Sequence, residues 1–298
     1  MDKHINEDFK LNYNIGPLIG RGTYGEVYIV ENKATKEKRA IKIFKLKDII
    51  ENLKQKYYTN EITDEIKEEF QKYIESIINE IENMKICSYK NKYSVEFYEY
   101  FKNENILAVV MEKCDNSLNN ILRNKKEGFN IKEIFEIMIQ LNKTFKIMRE
   151  NKIVHRDIKL DNILIKKEKN NILNFICKLT DYGISKKMSD FTVCETYAGT
   201  AITMAPEILK MEGENKEYDE KCDLWSIGVI IYELYFKRPP YNGNNPKSII
   251  NLIKNSGRKL LKKTGCYQLD DLIGKLLIEN PIERLSWEEY SNHPFFKD

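Results

Sequence analysis

The most constraining feature of this chain is one short stretch, Ile153-Val154-His155-Arg156-Asp157-Ile158-Lys159-Leu160-Asp161-Asn162. It packs a carboxylate, an ammonium group and an amide into six positions, with the apolar run Ile163-Leu164-Ile165 directly behind them. Asp157 can accept a proton, Lys159 can steady negative charge, and the side-chain oxygen of Asn162 is a hard ligand for a hard cation. A surface loop with scattered charges is the bland alternative. Further chemistry-bearing strings, in an order that makes sense together, argue against it.

The first is Leu18-Ile19-Gly20-Arg21-Gly22-Thr23-Tyr24-Gly25-Glu26-Val27-Tyr28. Its G-x-G-x-x-G also fits a dinucleotide-binding turn, but that turn should open a helix. Here Glu26 to Val30 alternates and is rich in β-branched and aromatic residues, which predicts a strand. The polar turn 32–38 and a second apolar strand, Ala40-Ile41-Lys42-Ile43-Phe44, follow. The three strands form an antiparallel meander, and its glycines let backbone approach phosphate groups without a Cβ in the way. A nicotinamide-dependent oxidoreductase, the class that the glycine pattern alone suggests, lacks both the βαβ context and a substrate base.

Together the two stretches resemble a eukaryotic-type protein kinase domain, and the resemblance runs from about residue 13 to 297. H-R-D-x-K-x-x-N is the catalytic-loop pattern of that family. The resemblance implies an α+β, bilobal fold: an N-terminal lobe over 1–112 with a small antiparallel sheet and a long helix, and a larger, mainly helical lobe over 113–298. It also implies ATP with Mg²⁺ (or Mn²⁺ in its place) as cofactors and transfer of the γ-phosphoryl group to protein hydroxyls. Asp157 would accept the proton of the attacking hydroxyl, Lys159 would steady the γ-phosphoryl charge, and Asn162 would hold a metal ion. Arg39-Ala40-Ile41-Lys42 resembles V-A-I-K, with Lys42 on the α- and β-phosphates. Ile19, Gly20, Gly22, Gly25, Val27 and Ala40 would line the nucleotide site, joined by Leu164 and Thr180. Met111 would stand at the back of the adenine pocket, while Glu112 and Cys114 would offer it backbone groups.

The ion-pair partner of Lys42 is expected on a helix. Apolar residues at helical spacing (Ile62, Ile66, Phe70, Ile74, Ile77, Ile81) predict one long amphipathic helix from Asn60 to about Lys85. Glu80 is the partner chosen over Glu82, because it places Met84 one turn later for packing. Lys42 and Glu80 are 38 positions apart, more than the family usually needs, so an insertion over about 45–75 is expected. Read blandly, it is a lineage-specific surface helix; anything gripping it would also move Glu80. Val95–Tyr100 and Ile106–Met111 are expected as strands, the second resembling an edge strand that leads to the hinge. A capped helix should start near Ser117, and another should span Ile131 to Arg149.

Thr180-Asp181-Tyr182-Gly183 stands where the family has D-F-G, so Asp181 would chelate the metal and the Tyr182 ring would pack in place of phenylalanine. The activation segment would run from Asp181 to Ala205-Pro206-Glu207. Thr196 is the expected phosphosite, with Thr192 the alternative, and Arg156 would pair with that phosphate. Thr203 replaces a frequent tyrosine. Asp223, in Asp223-Leu224-Trp225-Ser226-Ile227-Gly228, would brace the catalytic loop, and Arg284 would pair with Glu207. His293-Pro294-Phe295-Phe296 resembles the closing residues of such a domain.

Lys159 after H-R-D, with Thr200 in G-T-x-x-x-x-A-P-E, resembles the serine/threonine branch, within it the calcium/calmodulin-dependent-like or autophagy-initiating kinases of unicellular eukaryotes. Ser117 falls near where basophilic relatives carry an acidic residue, which implies weak selection for arginine upstream of the acceptor despite Glu233. A pseudokinase scaffold is the competing class. Its hallmark would be a lost chemical residue, and Lys42, Glu80, Asp157, Asn162 and Asp181 are all present.

Composition sets the remaining expectations. With 42% hydrophobic and 32% charged residues the chain can build an ordinary soluble core, and its net charge of +3 favours neither nucleic acid nor membrane as main partner. Its six cysteines show no C-x-x-C pair, which fits a reduced compartment. No signal peptide or lipidation motif is visible, and Ile227–Phe236 is too short to span a bilayer. The expectation is a cytoplasmic (or nuclear) monomer acting on protein substrates. An upstream kinase and a regulatory domain or protein would lie outside this chain.

Overall fold

The computed structural model describes residues 7–22, 25–169, 172–182, 201–210 and 220–297. Thr192, Thr196, Tyr197, Gly183 and Thr200 lie outside them. The chain divides into two compact units, Met1–Cys114 and Asp115–Asp298. That division falls two residues beyond the boundary read from the sequence.

The first unit is a five-stranded antiparallel sheet with helices. β1 (Tyr13–Gly22), β2 (Gly25–Asn32), β3 (Lys38–Lys45), β4 (Phe97–Lys102) and β5 (Ile106–Glu112) run in the order β1-β2-β3-β5-β4. The β1–β2 hairpin closes where Gly22 faces Gly25. A Cβ on Gly25 would lie 2.7 Å from the carbonyl oxygen of Ile43, so only glycine lets β2 leave the turn beside β3. β5 is an interior strand and not the edge strand expected: every residue from Ile106 to Met111 is buried, as a strand covered on both faces requires. The edge positions belong to β1 and β4. A short helix, α1 (Glu7–Asn12), lays Phe9 against Tyr13 and Phe101 over an apolar cluster that includes Val30, Ile41, Ile43 and Val110.

The helix expected from Asn60 to about Lys85 forms, starting four residues later, and a separate helix that the sequence reading did not anticipate precedes it. α2 (Leu46–Lys56) buries Leu46 and Ile49, and α3 (Asp64–Ser88) buries Ile66, Ile74, Ile77, Ile81 and Met84. Between them Tyr58 takes a left-handed φ of 51°, and Thr63 caps α3 by accepting the N–H of Ile66. Ile62, expected as the first core position, is half exposed and lies outside the helix. Glu69 of α3 fixes the turn by receiving Lys56 at 2.6 Å and the Tyr57 hydroxyl at 2.7 Å.

The second unit is mainly helical. Its three-stranded antiparallel sheet has the order β6 (Asn116–Ser117), β7 (Ile163–Lys167), β8 (Phe175–Leu179). Ser117 caps α4 (Leu118–Asn124). Asn130 and Glu133 form a reciprocal capping box at the start of α5 (Ile131–Glu150), whose buried residues Ile134, Ile137, Met138, Leu141, Phe145 and Met148 follow the helical period. After the short α6 (Pro206–Leu209), α7 (Lys221–Phe236) is buried without interruption from Cys222 to Tyr232, the mark of a central core helix. A Cβ on Gly228 would meet the Leu276 side chain at 2.8 Å, so that glycine sets how closely α7 packs on α9 (Tyr267–Leu276). α8 (Pro246–Ser256) and α10 (Trp287–Ser291) complete the unit.

Candidate active site

In the first unit, Lys42 projects from β3 and Glu80 from α3. The Lys42 Nζ lies 3.1 Å from Glu80 Oε1, with Glu80 almost wholly buried. The register of β3 against β5 puts Lys42 opposite Val109 and Ala40 opposite Met111. Lys42 and Glu80, with Phe44, Ile77, Ile81, Met84 and Met111, border a void of about 10 Å³, room for one water at most. An ion pair in such a wall is held by the packing of the strand and helix beneath it, and removing either partner would leave a buried charge. Gly20 and Val27 lie opposite each other in the β1–β2 ladder, Ile19 is exposed, and Glu112 and Cys114 are half-buried.

A second network ties the glycine turn to β3. Glu26 receives Lys45 at 2.9 Å, the Tyr28 hydroxyl at 2.8 Å and Arg21 at 3.4 Å. The hydrogen bonds from Lys45 and Tyr28 hold its carboxyl below the usual range. Sequence reading missed this network, because its signal is a pairing across strands and not a string.

In the second unit, Asp157, Lys159 and Asn162 lie on irregular backbone between α5 and β7. Asp157 Oδ2 accepts Lys159 Nζ at 2.8 Å and Asn162 Nδ2 at 3.0 Å. Asp157 Oδ1 is buried and accepts no hydrogen bond among the described residues. Asn162 Nδ2 also donates to the Asp157 carbonyl at 2.8 Å, which commits its amide nitrogen and leaves its side-chain oxygen as an acceptor. The Thr180 N–H donates to the Asn162 carbonyl at 3.0 Å, so Asp181 follows directly from a residue bonded to Asn162. Leu164 lies on β7, half-buried.

Two buried groups hold this loop. Asp223 Oδ2 accepts the His155 N–H at 2.7 Å and Oδ1 the Arg156 N–H at 2.8 Å. Burial pushes the Asp223 carboxyl up, against the pull of the two N–H groups that it accepts. His155 Nδ1 accepts the Asp157 N–H, so the imidazole proton sits on Nε2 and donates to the Thr180 carbonyl at 3.0 Å. Arg156 and Asp181 take left-handed φ values of 64° and 58°, a conformation costly for residues with a Cβ unless neighbours impose it. Tyr182 is wholly buried, its ring 5.5 Å from that of His155 and its hydroxyl donating to the Leu179 carbonyl at 3.3 Å.

Arg284 and Glu207 form a two-pronged pair at 2.7 and 2.9 Å. The remaining guanidinium donors reach the carbonyls of Ile278, Lys221 and Glu279, so all five N–H groups are used. Near the loop, Asp161 accepts Asn119 at 2.7 Å. Glu233, half-buried and facing the charge of Asp161, has its carboxyl pushed up to about 7.

Comparison with known proteins agrees with this geometry. The protein kinase domain family matches residues 13–296. The chain belongs to that family. The resemblance read from the sequence therefore holds, as does the α+β fold of a strand-rich and a helical unit. Among curated relatives, the serine/threonine-protein kinase ATG1a of Arabidopsis thaliana is 27% identical, over 96% of this chain and 42% of its own length. The serine/threonine-protein kinase TIO of the same plant is 32% identical, over 96% of this chain and 19% of its own. The probable serine/threonine-protein kinase fhkE of Dictyostelium discoideum is 29% identical, over 99% of this chain and 39% of its own. The chain thus spans less than half the length of these relatives.

Proposed function

We propose that this chain transfers the γ-phosphoryl group of ATP, with Mg²⁺, to serine and threonine hydroxyls of protein substrates. The observation that carries this reading is the asymmetry of Asp157: one carboxylate oxygen is pinned by Lys159 and Asn162 while the other, buried, accepts no hydrogen bond among the described residues. A substrate hydroxyl placed at Oδ1 is oriented by it and gives up its proton there as its oxygen bonds to the γ-phosphorus. The bond from that phosphorus to the β–γ bridging oxygen breaks, and ADP leaves. Lys159 supplies positive charge next to the reacting group, and Lys42, kept in place by Glu80, supplies it to the α- and β-phosphates. The side-chain oxygen of Asn162 and the carboxylate of Asp181 suit a hard divalent cation, which when bound neutralises charge on the phosphates.

Lys159 two positions after Asp157, and the serine/threonine-protein kinase names of the relatives, favour serine and threonine over tyrosine. A phosphate on Thr196, or on Thr192, would raise activity by pairing with Arg156, whose side chain is exposed while its backbone is fixed by Asp223. The test is incubation with Mg-ATP and randomised serine, threonine and tyrosine peptide libraries. Label entering the serine and threonine libraries supports the reading. Label confined to tyrosine refutes the acceptor class, and nucleotide binding without transfer, even after phosphorylation of the 181–207 segment, would make the chain a scaffold.

A further inference from the structure

Between Glu233 and Asp270 the sequence contains no acidic residue over 36 positions, yet it carries eight lysines and arginines. Acidic residues make up 46 of the 298 in the chain, so a stretch of that length would ordinarily hold about five or six. Lys247, Lys254, Arg258, Lys259, Lys262 and Lys263 are all exposed. None of the six forms an ion pair among the described residues. The carboxylates that follow in the chain are engaged elsewhere: Asp270 accepts Thr264 at 2.7 Å and Glu279 pairs with Lys210 at 2.6 Å. The insertion in the first unit looks quite different, with Lys54, Lys67 and Lys72 each paired with an acid one helical turn away.

The backbone beneath these charges is fixed. The Tyr241 hydroxyl donates to the Gly257 carbonyl at 3.2 Å and that of Tyr235 to the Thr264 carbonyl at 3.0 Å. The Lys262 N–H donates to the Tyr232 hydroxyl at 3.3 Å. Gly257, at a φ of 46°, turns the chain out of α8 into a single 3₁₀ turn, Gly257–Leu260. Three tyrosines thus hold a loop whose cations form no ion pair among the described residues, with Leu260 half exposed among them. Rigid presentation lowers the ordering cost of binding, and clustered charge of one sign steers an opposite partner.

We propose that this surface docks an acidic segment of the protein substrate, away from the phosphorylated hydroxyl. The inference rests on the kinase reading above for the identity of the partner. Charge complementarity selects the acidic chain. Placement favours a substrate, because α8 packs against α6, the helix that ends the segment running from Asp181.

The test uses the purified chain and two fluorescent serine peptides, one with a glutamate tract and one with glutamine in its place, read by anisotropy at low and at physiological salt. The Lys259→Gln, Lys262→Gln, Lys263→Gln triple variant is the comparison, and a single-stranded oligonucleotide and phosphatidylserine-containing vesicles are run alongside. The glutamate peptide should bind about tenfold tighter than its glutamine twin, lose the advantage in the triple variant and weaken with salt. Transfer to a serine peptide lacking the tract should be the same in parent and variant. Equal binding of the two peptides, an advantage that survives the substitutions, or tighter lysine-dependent binding of the oligonucleotide or vesicles would overturn the proposal. Tract-dependent binding without transfer to any peptide would refute the kinase reading and leave the surface standing.

Discussion

The two units hold their reactive groups in different ways. Lys42 and Glu80 sit in mid-strand and mid-helix, and their meeting follows from apolar packing of Ile77, Ile81 and Met84 beneath the sheet. Asp157, Lys159 and Asn162 lie on a loop, where position follows from Asp223, from His155 and from two residues forced into left-handed backbone. Regular elements carry geometry through many weak contacts, so one lost contact is shared among the rest. A loop carries it through a few strong polar contacts, so losing one should be felt in full.

That contrast can be broken or sharpened by substitution. The largest effect is expected at Arg284→Ala, which strands Glu207 and frees three carbonyls. Breaking such a buried pair costs about 3–5 kcal/mol, seen as a lowered midpoint in chemical denaturation. Asp223→Asn should come next: replacing an ionised acceptor of two N–H groups costs about 2–3 kcal/mol, or roughly a hundredfold in kcat. ATP affinity should stay within about twofold of the parent, because Lys42 and Glu80 do not depend on Asp223. Glu80→Gln keeps the shape of the helix but leaves the Lys42 charge without its buried partner, and should cost about tenfold in kcat/KM for ATP together with a lowered denaturation midpoint. If Glu80→Gln proved more damaging than Asp223→Asn, the distinction between packed and loop-held groups would fail.

The smallest effect concerns pH. His293 is buried, with Nε2 3.0 Å from Asp271 and Nδ1 accepting the Phe295 N–H. Burial outweighs Asp271 and holds the imidazole below its usual value. The folded state thus prefers neutral His293, giving stability that is present above about pH 6.5 and lost as pH falls through the depressed value. Glu233, raised to about 7, has the opposite sign, with its stabilising contribution lost as pH rises toward 7. Comparison of the parent with His293→Gln separates the two. The parent should lose more stability than the variant between pH 7 and pH 5, measured by denaturant midpoints.

Sequence legibility follows the same division. The residues of the loop stand next to one another in the chain, so the string 153–162 announces its chemistry by itself. Lys42 was legible from its place after the glycine hairpin, and Glu80 from the spacing that puts Met84 one turn on. The separate helix α2 and its stop before α3 were not. Its 57–63 connection has neither glycine nor proline, and Tyr58 supplies the left-handed residue that glycine would normally mark. Local periodicity likewise cannot say that β5 lies between β3 and β4, since strand order is a long-range property. The bonds of Glu26 to Arg21 and Lys45, and the absence among the described residues of ion pairs to the cations of 247–263, show only when distant residues are compared.

The most direct measurement of the central claim is single-turnover transfer from Mg-ATP to a serine peptide by the parent and by Asp157→Asn, with ATP affinity measured on both. If Asp157 Oδ1 takes the proton of the hydroxyl, the variant should bind ATP as the parent does and transfer about a thousandfold more slowly. Equal rates in the two proteins would contradict the account.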